Sequence, residues 1–146
     1  MPDQTMFDQS SELLRWTVRA LTEAGRDVTV DTDLETVDVG PEDLVVAIVL
    51  SATRSVVLHA VHPDYLPPEV LPAVAQAATR ANTSLSTSAV ELDLDTGNLS
   101  VRAGLEVGDV TLPAETFDGL VANLLDEVER VYELFLPELE EILRPE

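Results

Sequence analysis

The chain contains no cysteine and no lysine, and only six of its 146 residues are aromatic: Trp16, Tyr65, Tyr132 and three phenylalanines. Without cysteine there is no disulfide and no thiolate nucleophile or metal ligand, and a reducing compartment is compatible. With so few aromatics, aliphatic side chains must carry the core. Eight arginines face 28 acids, a net charge of -20. That charge repels phosphates and anionic lipid, so no direct nucleic-acid binding and no membrane association is expected. The longest apolar run, 44–50, falls far short of the roughly 20 residues a membrane helix needs. The first residues, Met1-Pro2-Asp3-Gln4-Thr5, carry neither the basic residues nor the apolar stretch of a signal peptide. A cytoplasmic location follows as an expectation. The six glycines are scattered and cradle no phosphate, and no Gly-x-Ser-x-Gly elbow occurs. No cofactor and no enzymatic activity are expected.

What the chain does have is alternation. Val90, Leu92 and Leu94 alternate with Glu91, Asp93 and Asp95; after Thr96-Gly97-Asn98, the residues Leu99, Val101, Ala103, Leu105 and Val107 alternate with polar ones. Period two places the apolar set on one sheet face. Pairing Leu94 with Leu99 predicts Leu92 opposite Val101, Val90 opposite Ala103 and Glu91 opposite Arg102. One face is then dry and needs a cover. The other is wet and acidic, with Glu91, Asp93, Asp95 and Glu106.

The remaining segments follow in order. Residues 8–24 predict a helix capped by Ser10 or Ser11, with a stripe of Leu13, Leu14, Thr17, Val18 and Leu21 and a stop at Gly25. A short strand at 28–30 leads into an acidic loop at 31–43 with Gly40-Pro41 as punctuation. Continuous apolar character at 44–50 predicts a central strand covered on both faces, and 56–61 returns as the next strand. An Ala-rich helix over 69–82 tolerates Pro72 in its first turn, and small residues at Ala73, Ala77, Ala78 and Ala81 allow close packing. The last helix starts at Pro113 and ends at Pro137, about 34 Å later, leaving an amphipathic tail with Leu139, Ile142 and Leu143. No repeat or linker divides residues 1–146, so one domain is expected. The order α-β-β-β-α-β-β-α predicts an α+β fold: an antiparallel sheet with helices packed on one face.

Several local motifs carry a resemblance. They are Arg80-Ala81-Asn82 at the end of the middle helix, Val90-Glu91-Leu92-Asp93 through Gly97 to Val101-Arg102, the Leu112-Pro113 helix start, and Tyr132-Glu133-Leu134-Phe135-Leu136-Pro137-Glu138-Leu139 before Ile142. From about residue 11 to 143 the chain resembles the YbjN-like family, which shares its fold with the class I type III secretion chaperones. The resemblance implies a non-enzymatic homodimer that binds other proteins or influences regulation and stress responses. It carries no catalytic residues onto this chain. The acidity and the lack of lysine depart from the family pattern.

Candidate chemistry is sparse. Asp31, Asp33, Glu35 and Glu42 have the spacing of acidic ligands in a calcium loop, but Thr36 stands where that loop needs glycine. A metal- or small-ligand-sensing regulator using the acidic loop 31–43 is therefore the alternative reading. His59 and His62, three apart on one strand, should point to opposite faces, with His59 a hydrogen-bonded sheet histidine. Glu91 and Asp93 could imitate a catalytic carboxylate pair, but Arg102 reads as an ordinary cross-strand partner of Glu91. The apolar stripes supply the interface candidates: Val74, Ala77, Ala78 and Ala81 of the Ala-rich helix, and Phe117, Val121, Leu124, Val128, Tyr132 and Phe135 of the last one. Homodimers are the commonest oligomers. The main expectation is thus a homodimeric, chaperone-like or regulatory protein-binding module. Its acidic surface favours a basic partner, including one itself associated with nucleic acid.

Overall fold

The alternating segments pair into one antiparallel sheet of six strands. A computed structural model describes residues 4–41 and 44–145, with side chains from residue 12 onward. The elements are α1 (Gln4–Glu23), β1 (Val28–Asp31), β2 (Thr36–Val39), β3 (Val45–Leu50), β4 (Ser55–Val61), α2 (Leu71–Asn82), β5 (Ala89–Leu92), β6 (Leu99–Glu106) and α3 (Ala114–Leu143). Strand order is β1-β2-β3-β4-β6-β5, and every neighbouring pair is antiparallel. The α+β class with an antiparallel sheet stands, with one strand more than predicted.

That extra strand, β2, lies inside the expected acidic loop. Val37 and Val39 point to the core and Asp38 to solvent. The turn before it is closed by Asp31, whose Oδ1 accepts the N–H groups of Asp33 at 3.1 Å and Leu34 at 3.0 Å. Asp31 then stands opposite Thr36 in the ladder. A tight hairpin thus replaces the open loop.

Helix α1 starts at Gln4, so Ser10 and Ser11 fall within it and not at its start; their side chains lie outside the described residues. Its end matches the expectation. Gly25 takes φ 85, Arg26 N–H donates to Leu21 O at 3.1 Å, and Gly25 N–H donates to Thr22 O at 2.9 Å. This is the Schellman pattern, which satisfies carbonyls the helix would leave bare. Arg26 then donates to Gly40 O at 2.8 Å and pairs with Glu129, tying three segments together.

Helix α1 packs over β1, β2 and β3, and α3 packs over β4 and β6. Helix α2, entered through a 3-10 turn at Pro68–Val70, sits at the β5 edge and against α3. Between helices and sheet lies the core of Leu21, Val37, Val39, Leu58, Val101, Phe117, Val121 and their neighbours. All three helices cover the same face. Strand β3 is therefore covered on one side, not two: Val45, Ala47 and Val49 are buried, while Val46 and Ile48 are only partly buried on the other face. In α2, Ala77 and Ala78 are buried as small packing residues, but Ala73 is exposed.

Two further expectations are corrected. In the β5–β6 hairpin Leu92 stands opposite Leu99 and Val90 opposite Val101, a register two residues away from the predicted one. Turn chemistry decides this. Asp93 Oδ1 accepts from Asp95 N–H at 2.9 Å and Thr96 N–H at 3.2 Å, and the Asp93 carbonyl accepts from Gly97 N–H at 2.8 Å. Residues 93–98 are thereby used in the turn, and Leu94 is 64% exposed. Helix α3 begins after Pro113 and runs unbroken through Pro137 to Leu143. Phe135 and Leu139, both buried, anchor it on either side of the exposed proline.

Candidate functional site

The face of the sheet turned away from the helices is the surface most suited to contact. Cross-strand register sets its rows. One row runs Thr29, Asp38, Val46, His59, Arg102 and Ala89; the next runs Asp31, Thr36, Ile48, Val57 and Gly104. Val46, Ile48 and Val57 form an apolar strip at the centre, outside the core cluster. Gly104 leaves the backbone bare beside it, since a side-chain carbon there would meet Val57 Cγ2 at 3.4 Å. Two shallow depressions open on this face. One, of about 250 Å³, has Val57 and Gly104 as its floor and residues 86–89 as a wall; the other, of about 410 Å³, lies over His59, Glu91, Asp93 and Ser100.

Between them Arg102 Nε pairs with Glu91 Oε1 at 3.0 Å, a diagonal pair because Glu91 stands opposite Ser100. Both side chains are substantially exposed, so the pair adds little stability and mainly cancels the one cation in these rows. His59 Nδ1 lies 3.3 Å from Ser100 Oγ, and burial, reinforced by Arg102 and opposed by Glu91, holds its pKa below the usual histidine value. It is the hydrogen-bonded sheet histidine expected. His62 faces elsewhere: its Nδ1 meets the Tyr132 hydroxyl at 2.9 Å, and burial lowers its pKa against the pull of Asp64. The two histidines do not converge.

A family model described as "Putative bacterial sensory transduction regulator", YbjN, matches residues 18–137. The chain belongs to this family. Among solved structures it is similar to the "Crystal structure of YbjN, a putative transcription regulator from E. coli", with a TM-score of 0.64 and 16% identity over 81% of this chain and 86% of that one. It is also similar to a chain of the "Crystal Structure of the ExsC-ExsE Complex", with a TM-score of 0.46 and 19% identity over 86% of this chain and 95% of that one. No curated protein matches the sequence.

In this YbjN-family chain most of the predicted interface residues are core residues. Val74, Ala77, Ala78, Phe117, Val121, Val128 and Phe135 are all buried within the single copy. Ala81, Leu124 and Tyr132 are partly buried and pack against the same core. The acidic set is dispersed: Glu91 lies on the outer face, Glu106 ends β6 opposite Ser55, and Asp93 and Asp95 sit in the turn. Asp93 is engaged in closing that turn, so it does not pair with Glu91. The calcium-loop reading loses its geometry. Asp31 is committed to backbone N–H groups, and Glu35 Oε2 accepts from Ser51 Oγ at 2.7 Å. Glu42 lies outside the described residues. Among the described residues no three acidic or histidine side chains gather as metal ligands, and no helix is long and apolar enough to cross a membrane. Sequence reasoning missed the outer strip of Val46, Ile48 and Val57. Its signal was present: two adjacent apolar strands in a chain with too few helices to cover both faces.

Proposed function

We propose that this chain is a non-enzymatic protein-binding module, chaperone-like or regulatory, that works in the cytoplasm as a homodimer and holds a basic partner segment against the outer face of its sheet. One observation carries the reading: the apolar strip Val46, Ile48 and Val57 lies outside the helix-covered core. An apolar patch rimmed by polar residues marks a protein contact. The rim is acidic, with Asp31, Asp38 and Glu106 along the rows. Arg102 is neutralised by Glu91. A positively charged segment is therefore drawn to this face, and an acidic one is repelled. The family description, sensory transduction, fits a regulator that acts through another protein, for example in a stress response, because a net charge of -20 disfavours direct contact with nucleic acid. Ala81, Leu124 and Tyr132, which keep some open surface, are the predicted interface positions a second copy can reach.

The test is capture from native lysate with the wild type and with Val57→Asp, whose fold is checked by circular dichroism. The expected result is a stoichiometric basic protein that Val57→Asp loses and that weakens as salt rises from about 50 to about 500 mM. A partner held equally by both proteins, or held independently of salt, would overturn the assignment of this face. Light scattering at micromolar concentration should give twice the chain mass, and a monomer would remove the homodimer.

A further inference from the structure

Arg54 ends the loop between β3 and β4 and takes φ 52. The fold needs that backbone conformation. The Arg54 carbonyl accepts from Val107 N–H at 2.8 Å and from Gly108 N–H at 3.3 Å, which fastens the turn to the end of β6. It does not need an arginine there. Glycine adopts the same conformation without the penalty of about 1 kcal/mol or more that a Cβ brings. The loop between β1 and β2 also ends on a left-handed non-glycine, Glu35 at φ 55, and that side chain has a partner in Ser51.

Among the described residues Arg54 has no comparable partner. Among the described residues no carboxylate pairs with it, although the chain holds 28 acids for 8 arginines. Its guanidinium carbon lies 5.9 Å from the centre of the Trp16 ring, and its Nε is buried without a hydrogen-bond partner. An unmatched buried donor costs about 1–3 kcal/mol. Residue 54 thus carries a backbone cost and a solvation cost, set against its place over the Trp16 ring.

The side chain borders a groove of about 460 Å³ that is also lined by Glu12, Trp16, Asp109, Val110 and Thr111. That volume is in the range of about 300–1,000 Å³ typical of small-molecule sites. The lining holds charge of both signs. A simple anion would meet Glu12 and Asp109, and a simple cation would meet Arg54. A molecule bearing both charges can meet all three. We propose that this groove binds a free α-amino acid, with its carboxylate on the Arg54 guanidinium, its ammonium group on Glu12 and Asp109, and its side chain against Trp16 and Val110. Trp16 meets Phe117 edge-on at 5.8 Å, so the site touches the packing of α1 on α3. None of its lining residues belongs to the outer-face strip, and the site stands or falls independently of that surface.

Trp16 is the only tryptophan, and its fluorescence reports on the groove directly. The full chain is titrated with each common L-amino acid into the millimolar range, and each responder is repeated as its decarboxylated amine and as its N-acetyl derivative. A saturable change with at least one amino acid, absent with both derivatives, is the expected result. Arg54→Gly should weaken that binding about tenfold or more while the thermal midpoint holds or rises, because glycine relaxes the turn. Glu12→Gln, which leaves the turn untouched, should weaken it as well. The assignment is overturned if no amino acid gives saturation or if a derivative binds as well as its parent. Unchanged affinity in either variant overturns it too.

Discussion

Gly97 lies directly against the backbone of Leu66: Leu66 N–H donates to the Gly97 carbonyl at 2.9 Å, and a side-chain carbon on residue 97 would stand 2.2 Å from the Leu66 carbonyl oxygen. Gly97 also has φ 79, so glycine is required on two counts. Gly97→Ala should cost about 3 kcal/mol or more, combining the left-handed penalty with a clash that only backbone movement relieves. Gly25 supplies the control. It has φ 85 but nothing within 4 Å of an added Cβ, so Gly25→Ala should cost only about 1 kcal/mol. Thermal denaturation of the two variants separates the terms, and equal losses would show that the Leu66 contact is immaterial.

Asn82 closes the outer edge of β5. Its Nδ2 donates to the Val90 carbonyl at 3.1 Å, and its Oδ1 accepts from Val90 N–H at 2.8 Å. Strand β5 ends the sheet, and one side-chain amide thus occupies backbone groups that another strand could use. Asn82→Ala should lower stability by about 1–3 kcal/mol, since both groups lose their partner. It should also raise concentration-dependent self-association. A variant as stable and as dispersed as the wild type would show that water replaces the amide without cost.

Much of this fold was legible because alternation is a local property. The faces of β5 and β6 came out as predicted for Val90, Leu99, Val101 and Ala103. Their register did not, because a shift of two residues keeps every side chain on its face and hydrophobicity cannot detect it. The Asp93 turn is what fixes the register, and an Asp three residues before Thr96 was its only written sign. Strand β2 was hidden by the acids flanking Val37 and Val39. Most residues of the stripes assigned to an interface are buried in the single copy, since periodicity marks burial without saying whether the cover is the same chain or another. The groove at Arg54 and Trp16 joins α1, the β3–β4 turn and the end of β6, and no spacing along the chain encodes that meeting.

Pro137 sits inside α3, where its ring removes one helical hydrogen bond, yet the helix continues to Leu143. The buried Phe135 and Leu139 hold the segment against the core and offset that loss. Pro137→Ala restores the missing N–H donor on an exposed position. It should stabilise the protein by about 1–2 kcal/mol, the helix gain being reduced by the greater freedom of the unfolded chain. A fall in the thermal midpoint would mean that the proline shapes α3 in a way the core depends on.

The two histidines set a stability window of their own. Burial is the leading cause that lowers both His59 and His62, with Arg102 assisting at His59, while Glu91 and Asp64 pull the other way. A lowered folded-state pKa means that the unfolded chain binds protons first as the pH falls. Stability is therefore full above the unfolded value of about 6.5 and declines as the pH drops below it. Glu127 acts lower down. Arg130 first, and then Ser88, hold its carboxyl below the usual glutamate range, so its contribution is lost only in more acidic solution. Melting curves should thus show a first decline between about pH 7 and pH 5 and a second below about pH 4.5. His59→Gln combined with His62→Gln should flatten the first and leave the second. If the double variant keeps the full slope between pH 7 and 5, groups other than these histidines bind the protons.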